Sequence, residues 1–153
     1  MEAEKTAPSG NQNKEDMQEE MDEELALNLY RNTMTGNWES IVEMYKQHTF
    51  AAISARINSS RDTALHVAVS IAPENIVIEL IRVISHISEL VLLIKNDEGN
   101  TPLHLAASTG RLKICILLAT LHYNKSDFFQ GSKPLKKVLK NLEKSYFKSS
   151  INP

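Results

Sequence analysis

Hydrophobic residues along this chain recur at the spacing of a helix rather than with the alternation of a strand. Near the amino terminus, Met17, Met21, Leu25 and Leu29 recur every fourth residue, which keeps one face of a helix apolar. Further along, Ile114 and the leucines at 117 and 118 form a second apolar stripe at helical spacing. The pattern predicts amphipathic helices in both regions.

The chain is also self-similar at a fixed offset. The segments DTALHVAVSIAPENIVIELI (62–81) and NTPLHLAASTGRLKICILLA (100–119) align without a gap at an offset of 38 residues. The identical pairs include Thr63 and Thr101, Leu65 and Leu103, His66 and His104, and Ala68 and Ala106. In a weaker upstream copy, Leu29, Tyr30 and Gly36 take the places of residues 103, 104 and 110. Self-similarity at such a period is typical of solenoids, in which each unit buries its apolar face against its neighbours.

The stretch GNTPLHLAASTG (99–110) resembles the signature of an ankyrin repeat, whose TPLH tetrapeptide opens the first of two antiparallel helices. The second copy has TALH, and the first keeps only the apolar pattern and Gly36. The resemblance covers residues 25–121. It implies an all-α ankyrin-repeat solenoid of about three helix-turn-helix repeats, at 25–57, 58–95 and 96–121.

Residues in the best-matching copy suit the ends of short helices. Thr101 is placed to cap a helix, Pro102 fits a first turn that needs no N–H, and Gly110 fits a helix end that requires positive φ. Ala106 is small enough for close helix approach. The full set that we assign to the repeat signature is Thr63, Leu65, His66, Ala68, Thr101, Pro102, Leu103, His104, Ala106 and Gly110.

The recurrence of the histidines decides how they are interpreted. A histidine that returns in register is needed by the repeat, whereas a catalytic base would be needed once. We therefore interpret His66 and His104 as structural, and the ankyrin resemblance implies that each hydrogen-bonds between neighbouring turns.

The second copy departs from the family pattern at its turns. Arg61 stands where the third copy has Gly99, and Ala72 followed by Pro73 stands where it has Gly110, so we expect both turns to differ locally. The segment RVISHISELVLLI (82–94) is longer than the usual link between repeats. It predicts an extended second helix or a short extra turn.

The two ends of the chain carry opposite charge. Residues 1–13 are polar and small, which predicts disorder, and residues 14–24 form an acidic helical lead-in. Residues 125–153 hold seven lysines against two acids. Within the basic extension 122–153, Gly131, Pro134 and Leu135 match Gly99, Pro102 and Leu103 at an offset of 32. This extension is a degenerate repeat or cap helix, or alternatively a basic amphipathic helix that binds calmodulin, an acidic membrane surface, nucleic acid or the acidic tail.

The composition argues against an enzyme or a metal protein. Cys115 is the single cysteine, the five histidines are scattered, and no glycine-rich loop could cradle a phosphate. The apolar segment 76–94 contains Glu79 and Arg82, which disfavour a membrane span. We expect no cofactor, no metal, no catalytic residue and no small-molecule substrate. A cytoplasmic location is expected because no secretory signal pattern opens the chain.

The ankyrin resemblance implies a protein–protein interaction module or adaptor that binds its partner on the concave face. The expected partner-binding residues are Ser59, Ser60, Asp62, Asp97, Glu98 and Asn100 at the loop tips, with Ser70, Ser108 and Thr109 on the first-helix side. Nucleic acid is not an expected partner, and membrane contact is expected only indirectly or through the basic extension.

The copies are also similar to those of plant ankyrin proteins that carry a membrane domain after their repeats. That similarity implies an alternative, in which the chain is a short or truncated form of a membrane ankyrin signalling or defence protein. In that case a partner would hold it at the inner face of a membrane.

Overall fold

The computed structural model describes residues 12–123 together with Lys144. Within this part of the chain all regular structure is helical, which confirms the predicted all-α fold. The α-helices are α1 (Gln12–Thr35), α2 (Trp38–Gln47), α3 (Thr49–Ser54), α4 (Ala64–Ile71), α5 (Glu74–Ile87), α6 (Pro102–Ser108) and α7 (Leu112–Tyr123), and a 3₁₀ helix covers Glu89–Leu93.

The helices form three pairs that stack side by side. The first helices of the pairs, α1, α4 and α6, lie in one row, because α4 contacts both of the others. The second helices, α2, α5 and α7, lie in another row around α5. Fully buried side chains from both rows form the core, among them Leu29, Ile41, Leu80 and Ile114. This is the short solenoid that the repeat pattern predicts.

Helix α1 is the longest because it continues through the acidic segment into the first repeat. It begins at Gln12, two residues inside the stretch with predicted disorder, and residues 1–11 lie outside the described part. Leu29 is fully buried, but Met17 and Met21 are 64% and 63% exposed. The predicted apolar stripe therefore packs against the stack only toward its carboxyl-terminal end.

The long link after the second repeat folds as its sequence predicts. Helix α5 extends to Ile87, and the 3₁₀ helix then adds a short turn in which Val91 and Leu92 are buried. This turn contacts α5, α6 and α7. Apart from Lys144, the predicted cap helix or degenerate repeat lies outside the described residues from position 124 onward.

The expectation that the turn at Arg61 differs from its counterpart at Gly99 is wrong. Arg61 has a φ of 55° and Gly99 a φ of 79°, so both adopt the left-handed conformation that favours glycine. The Arg61 N–H donates to the Asn58 carbonyl at 3.0 Å, and the Gly99 N–H donates to the Asn96 carbonyl at the same distance. The Arg61 carbonyl also accepts a hydrogen bond from Nη1 of Arg56 at 2.7 Å. The surrounding hydrogen bonds thus impose the conformation on a residue that disfavours it.

The turn at Ala72 does differ from its glycine counterpart. Gly110 has a φ of 70°, whereas Ala72 is extended with a φ of −73° and a ψ of 157°. An arginine from the next repeat satisfies the carbonyls at this end of α4. Nη1 of Arg111 donates to the Ala68 and Val69 carbonyls at 3.2 and 3.1 Å, and Nη2 donates to the Ala72 carbonyl at 2.7 Å. The guanidinium therefore caps a helix that lacks its glycine.

Candidate functional site

Two loop tips, residues 58–62 and 96–100, precede α4 and α6 and share one construction. The side-chain oxygen of Asn58 accepts a hydrogen bond from the Asp62 N–H at 2.9 Å, and that of Asn96 accepts one from the Asn100 N–H at 2.9 Å. The backbone also closes both tips, although from non-equivalent donors: the Ile57 N–H donates to the Asp62 carbonyl at 2.8 Å, and the Asn96 N–H donates to the Asn100 carbonyl at 2.9 Å. An asparagine at the first position therefore fixes the turn conformation of both tips.

Two of the predicted partner-binding residues, Asp62 and Asn100, form side-chain hydrogen bonds within the protein. Oδ2 of Asp62 accepts a hydrogen bond from the Asn58 side chain at 2.9 Å, and Oδ1 accepts one from the Asn96 side chain at 2.8 Å. The Asn100 side chain donates to Glu98 at 3.1 Å, and both Asp62 and Asn100 are half-buried. The Asp62 carboxylate therefore links the two tips, whereas the Asn100 side chain bonds within its own tip and its backbone carbonyl meets His66 of the preceding repeat.

The remaining predicted tip residues lie at the surface. Ser59, Ser60, Asp97 and Glu98 are all exposed. The backbone joins the tips here, because the Asp97 N–H donates to the Ser60 carbonyl at 3.0 Å. Asp97 also lies 3.7 Å from the Arg61 guanidinium, but both side chains are more than half exposed, so this ion pair is weak. These four residues form a polar rim that a partner could reach.

His66 and His104 have the same local contacts but differ on their outer side. Nδ1 of His66 accepts a hydrogen bond from the Thr63 N–H at 3.2 Å, and Nδ1 of His104 accepts one from the Thr101 N–H at 3.1 Å. Each pair forms a reciprocal capping box at the start of its helix. Nε2 of His66 then donates to the Asn100 carbonyl of the next tip at 3.0 Å. His104 is exposed and makes no such contact within the described residues.

Burial dominates the electrostatics of His66. The side chain is fully buried, and loss of solvation lowers the pKa of His66 below its ordinary value, although the bond to the Asn100 carbonyl opposes the shift. The neutral ring fits its contacts, since Nδ1 accepts and Nε2 donates. A buried ring that favours the neutral form and bonds to the next repeat is a structural group.

The other members of the repeat signature lie in or beside the core, except Gly110, which is exposed at the turn after α6. The buried residues of this set are Thr63, Leu65, Ala68, Thr101, Pro102 and Ala106. Leu103 is only half-buried, although its counterpart Leu65 is 1% exposed. This difference marks the third repeat as the more open end of the described stack.

The three predicted hydroxyl residues of the first-helix side bond to their own helices. Ser70 donates to the His66 carbonyl at 3.3 Å, and Ser108 and Thr109 each donate to the Leu105 carbonyl at 2.9 Å. Ser108 and Thr109 are exposed, and Ser70 is half-buried. Their hydroxyl oxygens retain capacity to accept hydrogen bonds, so they offer polar contacts of modest strength.

Sequence reasoning missed two exposed apolar side chains at positions equivalent to those hydroxyls. Ile71 is 63% exposed at the end of α4, and it holds the place of Thr109 in the 38-residue register. Met34 is 57% exposed near the end of α1, at the place of Ser108. The register of the repeats could have identified both. Their large exposed apolar surfaces make them stronger candidate anchors than the serines.

Residues 12–123 contain no cluster of potential metal ligands. No three His, Cys, Asp or Glu side chains come together there as metal ligands would. Cys115 is half-buried and packs against the core. None of the described helices is both long enough and apolar enough to span a bilayer.

A family model described as ankyrin repeats (three copies) matches residues 33–128. The matched range contains both loop tips and all three second helices. Comparison with curated proteins finds no match, and comparison with solved structures finds none.

Proposed function

Because the chain belongs to the ankyrin-repeat family, whose repeats generally mediate protein–protein interaction, we propose that it is a non-catalytic adaptor for a protein partner. The proposed binding surface is the exposed side of the first helices together with the polar rim of Ser59, Ser60, Asp97 and Glu98. We call this the concave surface.

The exposure of Ile71 is the observation that carries this proposal. An isoleucine with 63% of its surface in solvent contributes little to the fold, and Met34 is similarly exposed at a nearly equivalent position of the first repeat. Large exposed apolar side chains are typical of interaction sites, and the polar rim lies before the starts of α4 and α6, at the other end of α4 from Ile71. Such side chains gain free energy only when a partner removes them from water.

The proposed partner presents an apolar side chain to Ile71 and Met34 and hydrogen-bond donors to the tips. Asp97 and Glu98 supply carboxylates at the rim, and the exposed serines add hydroxyl groups. Hydrogen bonds across the rim would orient the partner, while the apolar contact would supply most of the affinity. This combination fits a folded partner surface or an extended segment with alternating apolar and basic residues.

Substituting the exposed isoleucine tests the proposal directly. Ile71→Glu should reduce partner capture by about tenfold or more, since a central anchor commonly contributes 2 kcal/mol or above. The matched control is Leu112→Glu, because Leu112 is 68% exposed but begins α7 in the row of second helices. Both variants should keep the helical circular dichroism of the wild type. Equal capture by the wild type and Ile71→Glu would contradict the proposal.

The contribution of the tips requires a variant that leaves the internal hydrogen bonds intact. Asp62 is unsuitable because its two oxygens hold the neighbouring asparagines. Ser60→Arg changes an exposed side chain without a side-chain hydrogen bond among the described contacts. We expect it to weaken capture by a few-fold, and the control Glu39→Lys, at an exposed position of α2, to leave capture unchanged.

The alternative functions concern residues beyond the described stack. Binding of calmodulin, a membrane surface or nucleic acid would use the lysines of residues 125–153. Partner capture that depends on those lysines and ignores Ile71→Glu would favour this alternative. No contact among the described residues favours the alternative of a shortened membrane ankyrin protein.

A further inference from the structure

A groove lies open between α1, α2 and α3 in the first repeat. It has a volume of about 680 Å³, and no residue of α4, α5, α6 or α7 lines it. Its apolar lining consists of Met21 and Leu25 on α1, Met44 on α2 and Ala51 on α3, and the rest of the lining is polar or charged. Leu25 and Met44 are half-buried and pack against the core beneath, whereas Met21 and Ala51 are exposed. The groove therefore has an apolar floor that is accessible from outside the stack.

The charged side chains of the groove are acidic. Asp22 and Glu24 lie on its α1 wall and Glu43 on its α2 wall, and His48 is the one basic residue among the lining side chains of the described helices. Asp22 and Glu43 accept hydrogen bonds from neutral glutamine amides at 3.0 and 2.7 Å. Within residues 12–123, the salt bridges involve none of these three carboxylates. The apolar floor is thus flanked by carboxylates that form no ion pair in the described part of the chain.

The charge of α1 indicates the kind of partner that fits this groove. Residues 12–24 contain seven acids and one lysine, a net charge of −6. Two series of three acids, beginning at Glu15 and Asp16, have members four residues apart, and like charges at this spacing repel each other on a helix. Cations beside this helix would relieve the repulsion. A second copy that met the groove with its own α1 would increase it.

We infer that the groove binds an amphipathic helix with a basic polar face, contributed by a partner protein. The apolar side chains of that helix pack on Met21, Leu25 and Met44, and its lysines or arginines pair with the acidic walls. Amphipathic helices commonly bind in apolar grooves of this kind, and methionine side chains adapt to the shape of their contacts. No residue assigned to the concave surface lines the groove, so this inference goes beyond the proposed function.

A designed peptide tests the groove in the full chain. The probe is a fluorescent helical peptide of leucine and lysine in which the leucines form one face. The control peptide has the same composition in a scrambled order. We expect saturable binding of the amphipathic peptide, with a dissociation constant roughly tenfold below that of the control. Equal affinity for both peptides would overturn the inference, because it would mean that the acidic helix simply attracts positive charge.

Two matched pairs of variants locate the binding. Glu43→Lys reverses a charge in the groove, and Glu39→Lys makes the same change one turn earlier on α2, outside the lining. Met21→Gln removes an apolar side chain of the groove, and Met17→Gln does so at a similarly exposed position of α1 outside the lining. Each groove variant should weaken binding of the amphipathic peptide about fivefold or more, and each control should change it little. Equal effects within either pair would contradict the assignment of the groove.

The NMR resonances of the Met21 and Met44 methyl groups identify the occupant. Added amphipathic peptide should shift both resonances. It should shift them equally in Ile71→Glu, so a failure of the proposed concave surface would leave this test unaffected. Shifts without peptide, either on replacing the lysines of residues 125–153 by glutamine or on diluting the protein, would overturn the inference. They would show that the chain's own basic residues or a second copy fills the groove.

Discussion

Replacing Arg61 by glycine should stabilise the protein even though it removes a charged side chain from an ion pair. The φ of 55° at Arg61 is left-handed, and this conformation costs a residue with a Cβ roughly 1–2 kcal/mol. Glycine avoids that cost but loses more backbone freedom on folding, which offsets about 0.5–1 kcal/mol. The ion pair to Asp97 spans 3.7 Å between exposed side chains, so its loss costs only about 0.2 kcal/mol. The expected net gain is about 0.5 kcal/mol.

The converse substitution at the equivalent position provides the matched comparison. Gly99 has a φ of 79°, and a Cβ added there meets no atom within 4 Å, so Gly99→Ala introduces conformational cost without a clash. We expect it to destabilise the fold by about 1 kcal/mol. The two tips share the bonds of the asparagine side-chain oxygen and of the left-handed residue's N–H, so the opposite signs of the two effects chiefly reflect the backbone contribution.

Urea denaturation followed by circular dichroism measures both effects, and thermal melting provides a second estimate. For a stack of this size, a change of 1 kcal/mol in the free energy of unfolding shifts the melting temperature by roughly 4–8 °C. Arg61→Gly should raise the midpoint and Gly99→Ala should lower it, with unchanged denaturant slopes. Destabilisation by Arg61→Gly of 1 kcal/mol or more would refute the reasoning, because it would mean that the arginine side chain contributes more than its left-handed backbone costs.

Three further predictions concern the contacts between repeats. Arg111→Lys should destabilise the fold by about 1–3 kcal/mol in urea denaturation, because an ammonium cannot reproduce the three bonds to the end of α4. An unchanged free energy of unfolding would exclude a capping role. Leu118→Ala should lower the free energy of unfolding by about 2–5 kcal/mol, because Leu118 is only 3% exposed. Leu103→Ala should lower it less, because Leu103 is half-buried. The reverse order of denaturation midpoints would contradict the packing. Stability should decline as the pH falls below about 6.5, because the unfolded chain then binds a proton that the lowered pKa of His66 excludes from the folded ring. An NMR titration in which His66 protonates above 6.5 would contradict this sign.

Structural features that recur in each repeat were predictable because the same residue types appear at equivalent positions in more than one copy. The register identified the capping threonines, the structural histidines and the glycine-ended turns from residue types alone. Gly36 and Gly110 indeed share a φ near 70°, although the first copy retains little else of the signature. The same register also relates Ile71 and Met34 to Thr109 and Ser108, although their apolar side chains differ in type from the hydroxyl residues at those positions.

Features that depend on contacts between repeats were not predictable from one repeat. A general rule about glycine suggested a different turn at Arg61, but the Arg56 guanidinium and the Asn58 backbone impose the left-handed form. Asp62 looked available because its acceptor role toward Asn96 spans 34 residues. Nothing in the sequence near Arg111 shows that its guanidinium ends a helix about 40 residues earlier.

These long-range contacts define how variants of the concave surface must be interpreted. Asp62 to Asn96, His66 to Asn100 and Arg111 to α4 each join adjacent repeats through groups that are buried or half-buried. In a stacked array, stability depends on such nearest-neighbour interfaces as well as on each repeat. Loss of binding after substitution at any of these residues would therefore reflect altered stacking. Only variants at exposed positions whose side chains take no part in these bonds, such as Ile71, report on a partner.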